Sequence, residues 1–252
     1  MDSGLYAAYT GLMARTQALD TAANNLANAG TNGFRAEKDY FRGAMVDIAR
    51  ADDTLASQVG NSVNEFGVLG GDRLDLSQGS LVKTGNPLDL ALRGQGFFAI
   101  QGKGQTLYTR DGAFSLSAAG VLQTAQGEPV LDVNGKTITV PTGDVGIAPD
   151  GTVSVSTDAG SAIVGQIGVF NFADSSVLEA AGAGRLAAGG VKPVAATNTA
   201  VEQGVIEGSN EDSVMGTMQL VIVQRQAEMM QKALSVFNNE FDKTAAEELG
   251  KV

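Results

Sequence analysis

The chain has no cysteine, no histidine and no tryptophan. Without thiols or imidazoles it has no thiolate nucleophile and no histidine-based triad. It also lacks the donor sets that hold most zinc, haem and iron–sulfur centres. The one side chain whose unperturbed pKa lies near neutrality is missing too, so any catalysis would rest on Asp, Glu, Lys, Tyr or a hydroxyl. Basic residues are few, 17 against 28 acidic ones, for a formal charge of −11. Phosphate backbones repel such a chain, which makes nucleic acid a poor partner. The longest strongly apolar run near a terminus, Leu220–Val223, falls far short of the ~20 residues a membrane span needs. The opening Met1–Tyr6 carries neither a basic region nor an unbroken apolar stretch, so no cleaved signal peptide is expected. Compartment stays open on cysteine usage alone, because a cysteine-free chain works in reducing and oxidising spaces alike.

What the chain does contain is 43% hydrophobic residues and 33 glycines in 252. That is enough for a real core and points to many turns. The two ends differ from the middle. Leucine recurs at Leu5, Leu12, Leu19 and Leu26, a strict seven-residue period that predicts an amphipathic or coiled-coil helix. Gly30 is its natural C′ residue, Asn32-Gly33 reads as a turn, and Phe34 as an anchor after it. At the other end Ser209, with Asp212 three residues on, fits a helix start. An apolar row then runs Leu220, Val223, Ala227, Met230, Leu234, Phe237 and Phe241 in steps of three and four. No Pro or Gly interrupts Thr217 to Leu249. A second row, Met215, Met218, Ile222, Met229 and Val236, lies on a neighbouring face of the same helix.

One helix partner covers one face, and the only other long helix is the N-terminal one. The second row therefore favours contact with other subunits. A single two-helix seam also buries little apolar surface against the backbone entropy of ordering both ends. Both ends are accordingly expected to fold together on assembly.

Between them, residues 37–78 lack a clear period and read as an extended arm or loose hairpin. Residues 79–208 are β-rich. Leu88–Leu92, Thr137–Val140 and Thr152–Val155 alternate, and Asp111-Gly112, Asn134-Gly135 and Asp150-Gly151 supply turn signals. Ala180–Gly190, rich in Ala and Gly, reads as a surface loop. The expected fold is α+β: paired N- and C-terminal helices forming a coiled-coil core, with a central antiparallel β domain. Its parts are a first helix in 1–36, an arm in 37–78, the β domain in 79–208 and a last helix in 209–252.

No motif commits the chain to chemistry. Gly94-Gln95-Gly96 begins like a dinucleotide fingerprint, but Phe97-Phe98-Ala99 follow and no third glycine arrives. It reads as a turn between strands. Asp89 and Asp111 would be the carboxylate pair of a glycosidase, yet Asp111 before Gly112 suits a tight turn, and Asp89 lies in an alternating strand. No catalytic, cofactor-binding or metal-binding residue is expected. Gln224-Arg225 interrupts the apolar middle of the last helix. The arginine is either solvated or paired with a carboxylate of another chain.

Three stretches, in order along the chain, resemble a known family. The first is Ala23-Asn24-Asn25-Leu26-Ala27-Asn28-Ala29-Gly30-Thr31-Asn32-Gly33-Phe34. The second runs from Thr84-Gly85-Asn86-Pro87-Leu88-Asp89 through Gly94–Phe98 to Tyr108-Thr109-Arg110-Asp111-Gly112-Ala113-Phe114. The third is Gln203-Gly204 with Glu207-Gly208-Ser209-Asn210, then Gln224-Arg225. They are similar to the flagellar axial proteins of the rod and hook. One departure is Ala227, where similar proteins usually carry an aromatic.

The resemblance implies a structural subunit of the bacterial flagellar basal-body rod, polymerising through its terminal helices and transmitting torque for motility. It further implies a place in the periplasm-spanning rod and export through the flagellar type III apparatus without a cleaved signal. The implied partners are other rod subunits and copies of itself, with no cofactor. The length favours a rod over a hook position, and Met1–Tyr6 is most similar to the proximal rod member; a distal rod subunit is the alternative. The assembly residues expected are Leu5, Leu12, Leu19, Leu26, Leu220, Val223, Met230, Leu234, Phe237 and Phe241. A secreted β-rich adhesin would also explain the glycine-rich turns and acidic surface. It leaves the two helical seams without a purpose.

Overall fold

The computed structural model describes residues 2–42, 68–157 and 160–249. The fold is α+β, with a helix at each end of the chain and antiparallel strands between. Helix α1 spans Asp2–Ala27 and helix α2 spans Ser213–Leu249. At 1.5 Å per residue α2 is about 55 Å long. After α1 the chain turns through Asn28–Phe34. The left-handed backbone there belongs to Gly33, at φ +65°, and not to Gly30.

Helix α2 begins four residues later than its sequence signal. Ser209 does accept a hydrogen bond, from Glu211 N at 3.1 Å, but the local turn stops there. The side chain of Asn210 instead donates to the Asp75 carbonyl at 2.7 Å and accepts from Ala36 N at 2.8 Å. Those contacts hold 209–210 against neighbouring backbone and leave Ser213 to open the helix.

The chain divides into two compact units. The first gathers Met1–Leu26, Glu37–Arg73 and Ser213–Val252; the second gathers Ala27–Ala36 and Leu74–Asp212. In the first, strand β1 (Glu37–Arg42) pairs with β2 (Val68–Leu74). Residues 43–67 of the expected arm lie outside the described residues.

The second unit is built on antiparallel sheets. One pair joins β3 (Leu81–Lys83) to β17 (Val205–Glu207), another joins β4 (Leu90–Arg93) to β16 (Ala200–Gln203). The largest sheet has six strands: β13 (Glu179–Ala180), β14 (Arg185–Ala187), β6 (Thr106–Thr109), β5 (Phe97–Gln101), β12 (Val169–Asn171) and β15 (Val194–Ala195), in that order. A three-stranded sheet orders β11 (Gly160–Gln166), β10 (Thr152–Thr157) and β9 (Asp144–Ile147). The short hairpin β7 (Ser115–Leu116) and β8 (Leu122–Gln123) completes the set among the described residues.

Strand β5 shows why the unit holds together. Successive side chains of a strand point to opposite faces. Phe98 and Ile100 enter one core with Leu90, Leu122, Val153 and Ile167, while Phe97 and Ala99 enter a second with Tyr108, Phe172 and Leu186. Both faces of the strand are covered, so Phe-Phe-Ala-Ile carries no polar residue.

Four local readings change. Leu90, Ala91 and Leu92 are all buried, so β4 is covered on both sides and its alternation is not half-solvated. Thr137–Val140 keeps its alternating burial, but it makes isolated bridges, Val121 to Thr139 and Leu131 to Thr137, in place of a continuous strand. Asp111-Gly112 is not a tight hairpin. Gly112 passes directly over β4, where its carbonyl accepts from Leu90 N at 3.0 Å, and a Cβ there would overlap the Leu90 carbonyl. Ala180–Gly190 is a hairpin at the edge of the six-stranded sheet and not a free loop. Gly182, Ala183 and Gly184 take positive φ to make its turn, and Leu186 is buried.

Candidate functional site

The helices carry the first group of candidate residues. Among the described side chains of α1 the buried ones are Ala14, Ala18, Thr21, Ala22 and Asn25, a row on one face. Leu12, Leu19 and Leu26 flank it half-buried; the side chain of Leu5 lies outside the described residues. A methyl group on Gly11 would stand 3.4 Å from the ε-methyl of Met230, so small residues set how near α2 can come at that level. Asn25 ties the end of α1 to the start of β1 with two hydrogen bonds to residue 37. It donates to the Glu37 carbonyl at 2.7 Å and accepts from Glu37 N at 2.9 Å.

On α2 the covered row is Gly216, Leu220, Val223, Ala227, Met230 and Leu234, in steps of four and three. Val223, Ala227 and Leu234 are buried, and Leu220 and Met230 are half-buried. Phe237 and Phe241 continue the row, with side chains outside the described residues. Ala227, where an aromatic was the usual residue, sits inside this buried row. The second row is exposed throughout: Met218 at 55%, Ile222 at 47%, Met229 at 62% and Val236 at 60%, with Met215 at its start. Arg225 and Lys232 occupy the remaining positions of the same three-four spacing, and both are exposed. Gln224 bonds Glu228 one turn on, at 3.2 Å.

The second group lies in the β unit, where the segments flanking the helices meet. Glu207 on β17 is fully buried. Its Oε1 accepts from Arg35 Nη2 at 2.5 Å and from Gly79 N at 2.8 Å, and its Oε2 accepts from Arg110 Nη1 at 3.0 Å. Arg110 also donates to the Gly94 carbonyl at 2.6 Å and lies 5.4 Å over the Phe97 ring. Burial lowers the Arg110 pKa, and the nearby Arg35 charge adds to the effect, while Glu207 opposes it. Asp111 is raised, first by burial and then by the charge of Asp89. Asp89 accepts from the Asn86 side chain at 2.9 Å, and Asp111 accepts from Ala113 N at 3.0 Å. Each of these carboxylates shapes its own loop. Arg35, Arg110 and Glu207 fall within or beside the sequence motifs, but nothing in their spacing announces a buried ion triad.

Gly33 joins the two ends within this unit. Its N–H donates to the Glu207 carbonyl at 2.7 Å, and a Cβ on it would overlap the Asp111 backbone nitrogen. Replacing Gly33 with alanine should destabilise the unit by roughly 2 kcal/mol or more, since a left-handed φ and a backbone collision both oppose it. Urea unfolding should show a lower midpoint at constant slope. Gly30→Ala, which has open space and no positive φ, should change the midpoint little.

Among the described residues no group of three or more His, Cys, Asp or Glu is placed to hold a metal ion, and no helix is long and apolar enough to cross a membrane. Two long terminal helices, one of them with a covered and an exposed apolar row, and a β unit built around a buried ion triad are the features of a structural class of protein.

Comparison with known proteins gives the family. Residues 5–35 match the family described as flagella basal body rod protein, and residues 91–155 match the flagellar hook protein FlgE/F/G D1 domain. The chain is 34% identical, over the full length of both proteins, to the flagellar basal-body rod protein FlgF of Caulobacter vibrioides. It is 34% identical to FlgF of Mesorhizobium japonicum, with 89% of each chain covered. It is 32% identical to the flagellar basal-body rod protein FlgG of Agrobacterium fabrum, over 90% of this chain and 92% of that one. The chain belongs to the flagellar basal-body rod protein family. It is a structural subunit of the basal-body rod and not an enzyme.

Proposed function

We propose that the chain polymerises within the rod through α1 and α2 and passes torque along it. In this reading the inner rows, Leu220, Val223, Met230 and Leu234 with Leu5, Leu12, Leu19 and Leu26 on or beside the facing stripe, pair the helices as a coiled-coil core. Phe237 and Phe241 extend that core. The outer row of α2 meets neighbouring subunits, whether copies of this chain or other rod proteins, and the β unit braces the outside. The observation that carries this is the exposed row itself: apolar side chains repeated over about six turns stay in water until something covers them. A helix with two apolar faces also supplies the heterologous, non-closing contacts a helical tube needs. Delivery by the flagellar type III apparatus and a proximal place in the rod belong to the same reading. The first is supported by the family, the second by the similarity of Met1–Tyr6 to the proximal member.

The absence of cysteine makes the test clean. A single Met229→Cys variant should react with a maleimide in the free protein and be protected in isolated hook–basal bodies. Thr139→Cys, exposed on the β unit, should serve as a reference in the free protein. Equal labelling of Met229→Cys in the free and assembled states would overturn the assembly role of the outer row. Absence of the chain from the particles, with abundance in the medium, would favour an adhesin.

A further inference from the structure

We propose that the Arg35–Glu207–Arg110 triad is an ordering device: the segment Ala27–Ala36, next to α1, docks only once Val205–Asn210, next to α2, is in place. Within the β unit two buried guanidinium groups share one buried carboxylate. Side-chain exposure is 2% for Arg35, 4% for Arg110 and 0% for Glu207. Among the described residues no other carboxylate pairs with either arginine. The two Nε atoms are buried and find no hydrogen-bond acceptor there. Among the described residues Glu207 is therefore the sole counter-charge of the cluster.

The two segments stand in different positions with respect to that charge. Without Val205–Asn210, docking Ala27–Ala36 would bring Arg35 into an apolar site beside Arg110 with nothing to neutralise either. Removing one partner of a buried pair leaves an uncompensated charge, which is strongly unfavourable. Arg110 is anchored independently by the Leu92 and Gly94 carbonyls and the Phe97 ring, so it stays to repel. Without Ala27–Ala36, in contrast, Val205–Asn210 still docks. Glu207 keeps Arg110 and Gly79 N, a neutral pair, while β17 keeps β3 and Gly208 N keeps the Ser80 carbonyl.

The coupling between the segments is reciprocal, as any equilibrium coupling must be. What differs is whether each segment has a satisfied state alone. Val205–Asn210 has one and Ala27–Ala36 does not. The backbone seals the same order. Gly33 N takes the Glu207 carbonyl, Ala36 N takes the Asn210 side chain, and Asn210 N reaches the Phe34 carbonyl at 3.4 Å. All three partners arrive with the C-terminal segment. A chain whose C-terminal part is missing or undocked would hold its N-terminal segment loose.

Hydrogen exchange by mass spectrometry on the full chain tests this. In Glu207→Gln, peptides covering 31–36 should exchange on the order of a hundredfold faster, with 97–101 unchanged as an internal reference. In Arg35→Met, the 31–36 peptides should also speed up. The 205–208 peptides should stay within about threefold of wild type, because the Glu207–Arg110 pair survives. Protection of 31–36 persisting in Glu207→Gln would overturn the proposal. So would an Arg35→Met variant that frees 205–208 as much as 31–36. Should Glu207→Gln fail to fold, the asymmetry in Arg35→Met decides the matter alone.

Discussion

Cells whose only copy of this chain carries Ile222→Glu with Met229→Glu should not swim, although the purified variant should fold as well as wild type. Ile222 and Met229 are 47% and 62% exposed on α2, so a carboxylate at either position keeps its water in the free protein. Surface changes of that kind usually stay within about 0.5 kcal/mol, and Glu is a better helix former than Ile. Against a neighbouring helix the same carboxylates would be buried unpaired, at several kcal/mol each. The inner row behaves differently. Leu234 is 5% exposed, so Leu234→Asp should abolish swimming and also lower the helix content of the free chain. Soft-agar motility and far-ultraviolet circular dichroism of the purified proteins separate the two cases. Met229→Leu should swim normally because it keeps the row apolar. Motility in the double variant would remove the outer row from assembly, and motility in Leu234→Asp would remove the inner one.

Both rows were readable because helical periodicity survives in sequence: steps of three and four among Leu, Val, Met and Phe fit a helix face and little else. The inner row of α2 lies where its spacing places it, with Val223 and Leu234 buried. The leucine period of α1 caught a different line from the buried one. Ala14, Ala18 and Ala22 form the covered face, and alanine, common on every kind of surface, gives no contrast to read. The β unit was legible as a class from its turns and alternation. Its covering was not, since Leu90-Ala91-Leu92 fits a half-exposed strand and a doubly buried one equally.

The chain-end junction escaped for another reason. Arg35, Arg110 and Glu207 are ordinary surface residues until the fold brings them together across 172 and 97 positions. Long-range pairing leaves no local period. Its nearest sequence signal was that all three fall in or beside the motifs that resemble the family. Gly33 gave a partial hint: an Asn-Gly turn was expected there, but not its backbone resting on Asp111 and Glu207.

Phe98→Ala should cost the β unit roughly 3–5 kcal/mol and lower its melting temperature by about 10–20 °C. Phe98 is fully buried on β5, edge-on to Phe114 at 5.2 Å between ring centroids. Its strand pairs with both β6, where it faces Thr109, and β12, where it faces Val169. With neighbours on both sides and Leu90, Val130 and Val153 in the same cluster, the surroundings have little room to collapse into the space a ring leaves. Ile163→Ala, at a side chain 75% exposed, should shift melting by no more than a degree or two. Scanning calorimetry of the purified proteins reads both. The helical rows are untouched by Phe98→Ala, so its effect on swimming reports what the β unit contributes to the rod. Motility that fails only as temperature approaches the lowered melting point would make the β unit a brace the helices cannot replace. Full motility above that point would confine the mechanical role to α1 and α2.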